Sequence, residues 1–103
     1  MPYIIGTMSY PTHKQGDAIK VYVKIRDEYP PDETIFENLG TPVKTTKKGV
    51  KLMTIWKVKE GQLEKALNRV SRFYYEFINV EGLEYSVDVW MTFEEASGLA
   101  GLE

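Results

Sequence analysis

Apolar and polar positions change period several times along this chain, and each change marks an element. "YIIGTMSYP" (Tyr3 to Pro11) is apolar, rich in strand formers and closed by a proline, so it predicts a first strand. "THKQGDAIKVYVKIRDEYPP" carries two periods at once. Ile19, Val21, Val23 and Ile25 alternate with Ala18, Lys20, Tyr22 and Lys24, as in a strand. Gln15, Ala18, Ile19, Tyr22, Ile25 and Tyr29 also fall on one helical stripe. Thr12 after Pro11 can start a helix and Pro30-Pro31 would end one, while Gly16 argues against it. The order of the remaining elements favours a helix here. "DETIFENLG" reads as a connector with at most a short turn of helix. "TPVKTT" and "GVKLMTIWKV" flank Lys47-Lys48-Gly49 and predict two antiparallel strands, with glycine supplying the positive φ of a tight turn.

"KEGQLEKALNRVSRFYYEFINVEG" is the clearest helix. Leu63, Ala66, Leu67, Val70, Tyr74, Phe77 and Ile78 follow the helical spacing; Gly61 opens it and Gly82 lies beyond its end. "LEYSVDVWMTF" predicts the final strand, with Tyr85, Val87, Val89, Met91 and Phe93 alternating with Glu84, Ser86, Asp88, Trp90 and Thr92. "EEASGLAGLE" is a tail with room for one helical turn. The order βαββαβ is the ferredoxin-like pattern. It implies one α+β domain over residues 1–103, a four-stranded antiparallel sheet with two helices on one face.

The stretch "SRFYYEF" packs four aromatic rings into seven positions. Phe73, Tyr74 and Phe77 sit on or beside the apolar stripe of the second helix, which makes them core rather than a cofactor box. Tyr75 shares the opposite face with Glu64, Asn68 and Ser71 and should point outward.

A sheet with helices on one face should carry polar residues on the other if that face meets water. This one does not. Whichever set of the third strand faces the helices, the other holds Met53 and Ile55 or Leu52 and Trp56. Trp90 lies opposite the fully apolar face of the last strand, and the first strand is apolar on both sides. A second copy of the same sheet, related by a two-fold axis, is the simplest cover. Two sheets face to face give a homodimeric α+β barrel. "YPPDE", "KKGVKLMTIWKVKEGQLEKAL" and "VEGLEYSVDVWMTFEEA" resemble a group of short prokaryotic proteins of the dimeric α+β barrel class, over most of the chain from Tyr3 to about Leu99. That group implies the fold but no assigned activity. The wider class includes cofactor-independent monooxygenases, haem-degrading enzymes, lactone isomerases and ligand-binding modules, so the fold does not decide the function.

Composition narrows the chemistry. The chain has no cysteine, which removes disulfides, thiolate metal sites and a cysteine nucleophile. No apolar run is long enough to span a membrane, and "MPYIIGTMSYP" lacks the basic start and apolar stretch of a signal peptide, so a cytoplasmic protein is expected. The net charge of −2 does not suit nucleic-acid binding. Lys44, Lys47, Lys48 and Lys51 form a local basic cluster that could take an anion, or simply decorate a solvated hairpin.

His13, the one histidine, is the first candidate general base, and Asp17 could orient it if the segment is helical. Asp88, mid-strand between Val87 and Val89, would lose hydration inside a dimer barrel and suit acid–base work there. A pocket between sheet and helices would be lined by Tyr10, Tyr22, Trp56, Tyr74 and Trp90. One histidine with scattered carboxylates does not make a metal site, and haem would need His13 as its axial ligand; no cofactor is expected. The expected function is a small-molecule-binding or protein-interaction module, a small, partly apolar ligand being the candidate partner besides a second copy. The rival is a cofactor-independent monooxygenase or isomerase-type enzyme with its pocket near His13, which an enclosed cavity reaching that residue would favour.

Overall fold

Alternate residues of the first strand, β1 (Tyr3–Tyr10), go to different environments: Ile4, Gly6, Met8 and Tyr10 are buried, while Tyr3, Ile5, Thr7 and Ser9 are half-exposed. The computed structural model describes residues 1–99 and residue 101. A 3-10 turn (Thr12–Lys14) leads into α1 (Gln15–Glu28), followed by β2 (Phe36–Gly40), β3 (Val43–Thr46), β4 (Gly49–Val58), α2 (Leu63–Tyr75), β5 (Glu84–Trp90) and α3 (Phe93–Leu99). All strand pairings are antiparallel. Among the described residues the result is an α+β fold with a five-stranded sheet and three α-helices.

In the sheet β4 pairs β1 and β1 pairs β5. The other side of β4 is shared. β2 pairs its last residues, Phe36 opposite Val58 and Asn38 opposite Trp56, and β3 pairs its first, Thr46 opposite Gly49 through Val43 opposite Leu52. The register shifts between Asn38 and Gly40, where Gly40 takes φ 138° and its N–H donates to the Asn38 side-chain oxygen at 2.8 Å. Pro42 cannot donate to a ladder. Its carbonyl instead accepts the Met53 N–H at 3.0 Å, bridging the two short strands.

The four-strand expectation is therefore corrected to five. The segment read as a connector ends in a strand because Phe36 buries itself against Trp56, with ring centroids 5.9 Å apart. The ambiguous segment is the helix α1, but it buries only Ala18 and Ile25. α2 is shorter than its apolar pattern. After Tyr75 the chain tightens into bonds between residues three apart, Phe77 N–H to the Tyr74 carbonyl and Ile78 N–H to the Tyr75 carbonyl. Phe77 thereby stays buried at 1% exposure, while Ile78 is rotated out to 52%. β5 likewise stops short of Phe93. Thr92 Oγ1 accepts the Glu95 N–H at 3.1 Å and Glu95 Oε1 accepts the Thr92 N–H at 2.9 Å, a reciprocal capping pair that starts α3.

The core lies on one side of the sheet. Ile4, Met8, Val50, Trp56 and Val58 meet Ala18 and Ile25 of α1 and Ala66, Val70 and Tyr74 of α2. Tyr74 lies across Gly6, where a Cβ would collide with its ring and hydroxyl, so only glycine admits this helix at this height. The other side of the sheet carries Tyr3, Ile5, Thr7 and Ser9 of β1, Lys51, Met53, Ile55 and Lys57 of β4, and Glu84, Ser86, Asp88 and Trp90 of β5, and no described residue adds to the buried core there. Met53 is 41% and Trp90 56% exposed.

Candidate ligand-binding site

A cavity of about 530 Å³ opens between α1, α2 and the sheet, toward β2. It exists because α1 packs loosely: Tyr22 stays half exposed and borders the opening instead of filling it. The floor is aromatic. Trp56 stands 6.4 Å from Phe73 and 6.2 Å from Tyr74, both edge-on, and Tyr22 meets Phe73 at 6.5 Å. Such edge-to-face sets hold rings rigidly and leave flat apolar surface for a ligand.

Polar groups enter from the sheet and from the helix ends. Thr54 and Thr41 share a hydroxyl hydrogen bond of 3.0 Å beside Tyr74. Burial pushes the Tyr74 phenol up to about 12, with the Thr54 hydroxyl working in the opposite direction. Arg26, Arg69 and Arg72 line the cavity together with Glu33. Arg69 is committed elsewhere: its guanidinium donates to the Pro30 carbonyl and lies 5.5 Å from the Tyr29 ring centroid. Arg26 approaches Asp27 at 4.0 Å. Arg72 makes no ion pair among the described residues.

The expected pocket residues separate. Tyr22, Trp56 and Tyr74 border the cavity. Tyr10 is buried in the core, where burial raises its phenol pKa, and it does not line the cavity. Trp90 lies on the opposite side of the sheet, paired with Tyr3. His13 is exposed in the 3-10 turn and lines none of the cavities described. Asp17 does not orient it; its carboxylate sits 3.8 Å from Lys14, which also approaches Glu81 at 3.7 Å. Asp88 lies opposite Ile5 on the open face, midway along β1, whereas His13 lies in the turn beyond the end of that strand, so the fold does not join the two candidate catalytic groups. No group of three or more metal-ligating side chains occurs among the described residues.

The four lysines cluster at the β3–β4 hairpin. Its turn is held by the Thr46 hydroxyl, which donates to the Gly49 carbonyl at 2.9 Å and accepts the Lys48 N–H at 3.2 Å. Lys44 and Lys51 border a second concavity of about 570 Å³, together with Glu84. Arg69, Arg72, Phe73 and Phe36 were missed as site residues. The spacing of Arg69, Arg72 and Phe73 on one helix face was a readable signal; Phe36 was hidden in the supposed connector.

No helix among the described residues is long and apolar enough to cross a membrane. No family model matches the sequence, and no curated protein does. The chain is similar in structure to the C-terminal domain of the MgtC protein from Mycobacterium tuberculosis, solved in solution, at 10% identity and a TM-score of 0.46, over 84% of this chain and 86% of that one.

Proposed function

We propose that the chain is a small-molecule-binding module whose cavity between sheet and helices takes a small, partly apolar ligand bearing an acidic group. The observation that carries this reading is the cavity itself: an aromatic floor of Trp56, Phe73 and Tyr74 beside Arg72, which has no ion-pair partner among the described residues. An apolar pocket with a few convergent polar groups is the usual form of a small-molecule site. A guanidinium gives bidentate recognition to a carboxylate. The enzyme reading centred on His13 lacks comparable support, since His13 borders no cavity described.

We further read β2 and β3 as one interrupted strand, which gives the ferredoxin-like βαββαβ order, and the open sheet face as the contact of a homodimeric α+β barrel. The test of the binding site uses 8-anilinonaphthalene-1-sulfonate, an aromatic anion, in a Trp90→Phe background where Trp56 is the remaining tryptophan. The expected result is saturable quenching of Trp56 at one probe per chain, weakened several-fold by Arg72→Glu and by Tyr22→Asp. Binding that ignores both substitutions would place the probe elsewhere and overturn the reading.

A further inference from the structure

The open face is divided by charge, column by column. The sheet has four columns: β2 with β3, then β4, β1 and β5. On the open side the first two columns carry Lys44, Lys51 and Lys57 against a single acid, Glu37. β1 carries no charge there, and β5 carries Glu84 and Asp88. Lys44, Lys51, Lys57, Glu84 and Asp88 form no ion pair within the chain among the described residues. One half of the face is basic, the other acidic, and Ile5 and Ile55 pair near the middle.

We infer that two copies pack by this face around a two-fold axis running along the strands, between β1 and β4, so that the basic half of each lies over the acidic half of the other. This rests on the homodimer reading above and adds its orientation. A face-to-face pair can be related by an axis along the strands or by one across them. The strand register lets both be compared residue by residue.

Lys44, Lys51, Ser9 and Glu84 share one level across the sheet, and Ile5, Ile55 and Asp88 share another. An axis along the strands keeps the levels and exchanges the columns. Lys44 then lies over Glu84 of the second copy, twice by symmetry, and Ile55 lies over Ile5. No like charges are directly opposed. An axis across the strands keeps the columns and inverts the levels. Lys44 then meets Glu37, but Lys51 meets Lys57, so attraction and repulsion offset each other while Glu84 and Asp88 gain no cation. Aligned sheets pack about 10 Å apart with strands crossing at about 30°, a gap that a lysine and a glutamate together span. Charge complementarity of this kind fixes orientation more than it adds affinity.

Sedimentation equilibrium at low salt, with circular dichroism to confirm folding, tests the orientation. All substituted residues are exposed. Glu84→Lys should weaken the dimer about tenfold, because two symmetric contacts turn repulsive at once. The double variant Lys44→Glu with Glu84→Lys should restore it. Lys51→Glu should also weaken it. With the axis across the strands, Lys51→Glu would instead strengthen the dimer and the double variant would weaken it, because Lys44→Glu then faces Glu37; that result overturns the orientation and leaves the homodimer standing. Dimers indifferent to all three variants overturn the orientation equally. A wild-type chain that stays monomeric at about 100 μM removes the homodimer reading and the orientation together.

Discussion

The two faces of the sheet are built from alternate residues of the same strands and meet different fates. On the helix side Ile4, Gly6 and Met8 of β1 and Trp56 and Val58 of β4 are buried. On the other side Ile5, Met53, Ile55 and Trp90 are left half-buried or exposed. Strand geometry alone would allow either set to face the helices. Gly6 decides it. It is the one position in β1 without a side chain, and Tyr74 occupies the space above it. Both faces carry large apolar residues, so the fit of Tyr74 over Gly6 adds a criterion of shape to the charges that mark the open face. The open face pairs Ile5 with Ile55 near its middle, next to Met53, which motivates a cover from outside the chain.

The largest effects should come from breaking the filled side. Tyr74→Ala and Phe77→Ala remove rings that are 2% and 1% exposed, so each should cost about 3–5 kcal/mol in urea unfolding. Gly6→Ala should be comparably damaging, because the added methyl drives Tyr74 off the sheet. A Gly6→Ala protein of full stability would mean that α2 does not lie where Tyr74 puts it.

Much of this side was legible in the sequence. The alternation of β1 and β4 located both faces, and the α2 stripe named Ala66, Val70, Tyr74 and Phe77. What could not be read came from elsewhere. β2 is too short and polar to show a period: "FENLG" buries only Phe36. The looseness of α1 leaves no trace in its pattern, since Ile19, Tyr22 and Val23 are apolar but exposed. The cavity depends on that looseness, so Tyr22, Trp56 and Tyr74 stand out as pocket residues by their rings, while Arg72 and Phe73 are marked only by their spacing beside Arg69 on α2. Tyr10, His13 and Trp90 were joined to them by chemistry alone, and the sheet separates Trp90 from the rest. The Thr92–Glu95 capping pair was readable as T-x-x-E but was absorbed into a supposed strand.

A smaller effect sharpens the same side through pH. The Tyr74 phenol titrates near 12 in the fold and near 10 in the unfolded chain. The folded state therefore holds its proton more tightly. That stability is complete below pH 10 and is lost as pH rises toward 12, when the unfolded chain ionises first. The loss should be about 2–3 kcal/mol. Lysines and the other tyrosines titrate in the same window, so the comparison is with Tyr74→Phe, whose stability should fall less steeply between pH 10 and 12. Parallel curves for the two proteins would show a hydrated Tyr74.

The open face should respond in the opposite way. Met53→Ser and Trp90→Ser remove exposed groups, so each should change the stability of the isolated chain by less than about 1 kcal/mol. Their effect should appear in association, as a lower weight-average mass at a given concentration. A large loss of chain stability with unchanged mass would mean that the face is covered from within the same chain.

The smallest effect should be at Tyr75, next to the largest. It is 61% exposed, just beyond the buried Tyr74, and stacks on no other ring among the described residues. Truncation to alanine removes little buried area, and alanine is the better helix former by about half a kcal/mol. The two terms nearly offset, so Tyr75→Ala should lie within about 0.5 kcal/mol of wild type, with an unchanged denaturant slope. The comparison with Tyr74→Ala then isolates one variable, the direction in which adjacent rings point from the last turn of α2. Equal losses at the two positions would require a helix rotated by about 100° or a partner seated on Tyr75. Light scattering separates these cases, because only the second predicts that Tyr75→Ala also lowers the mass in solution.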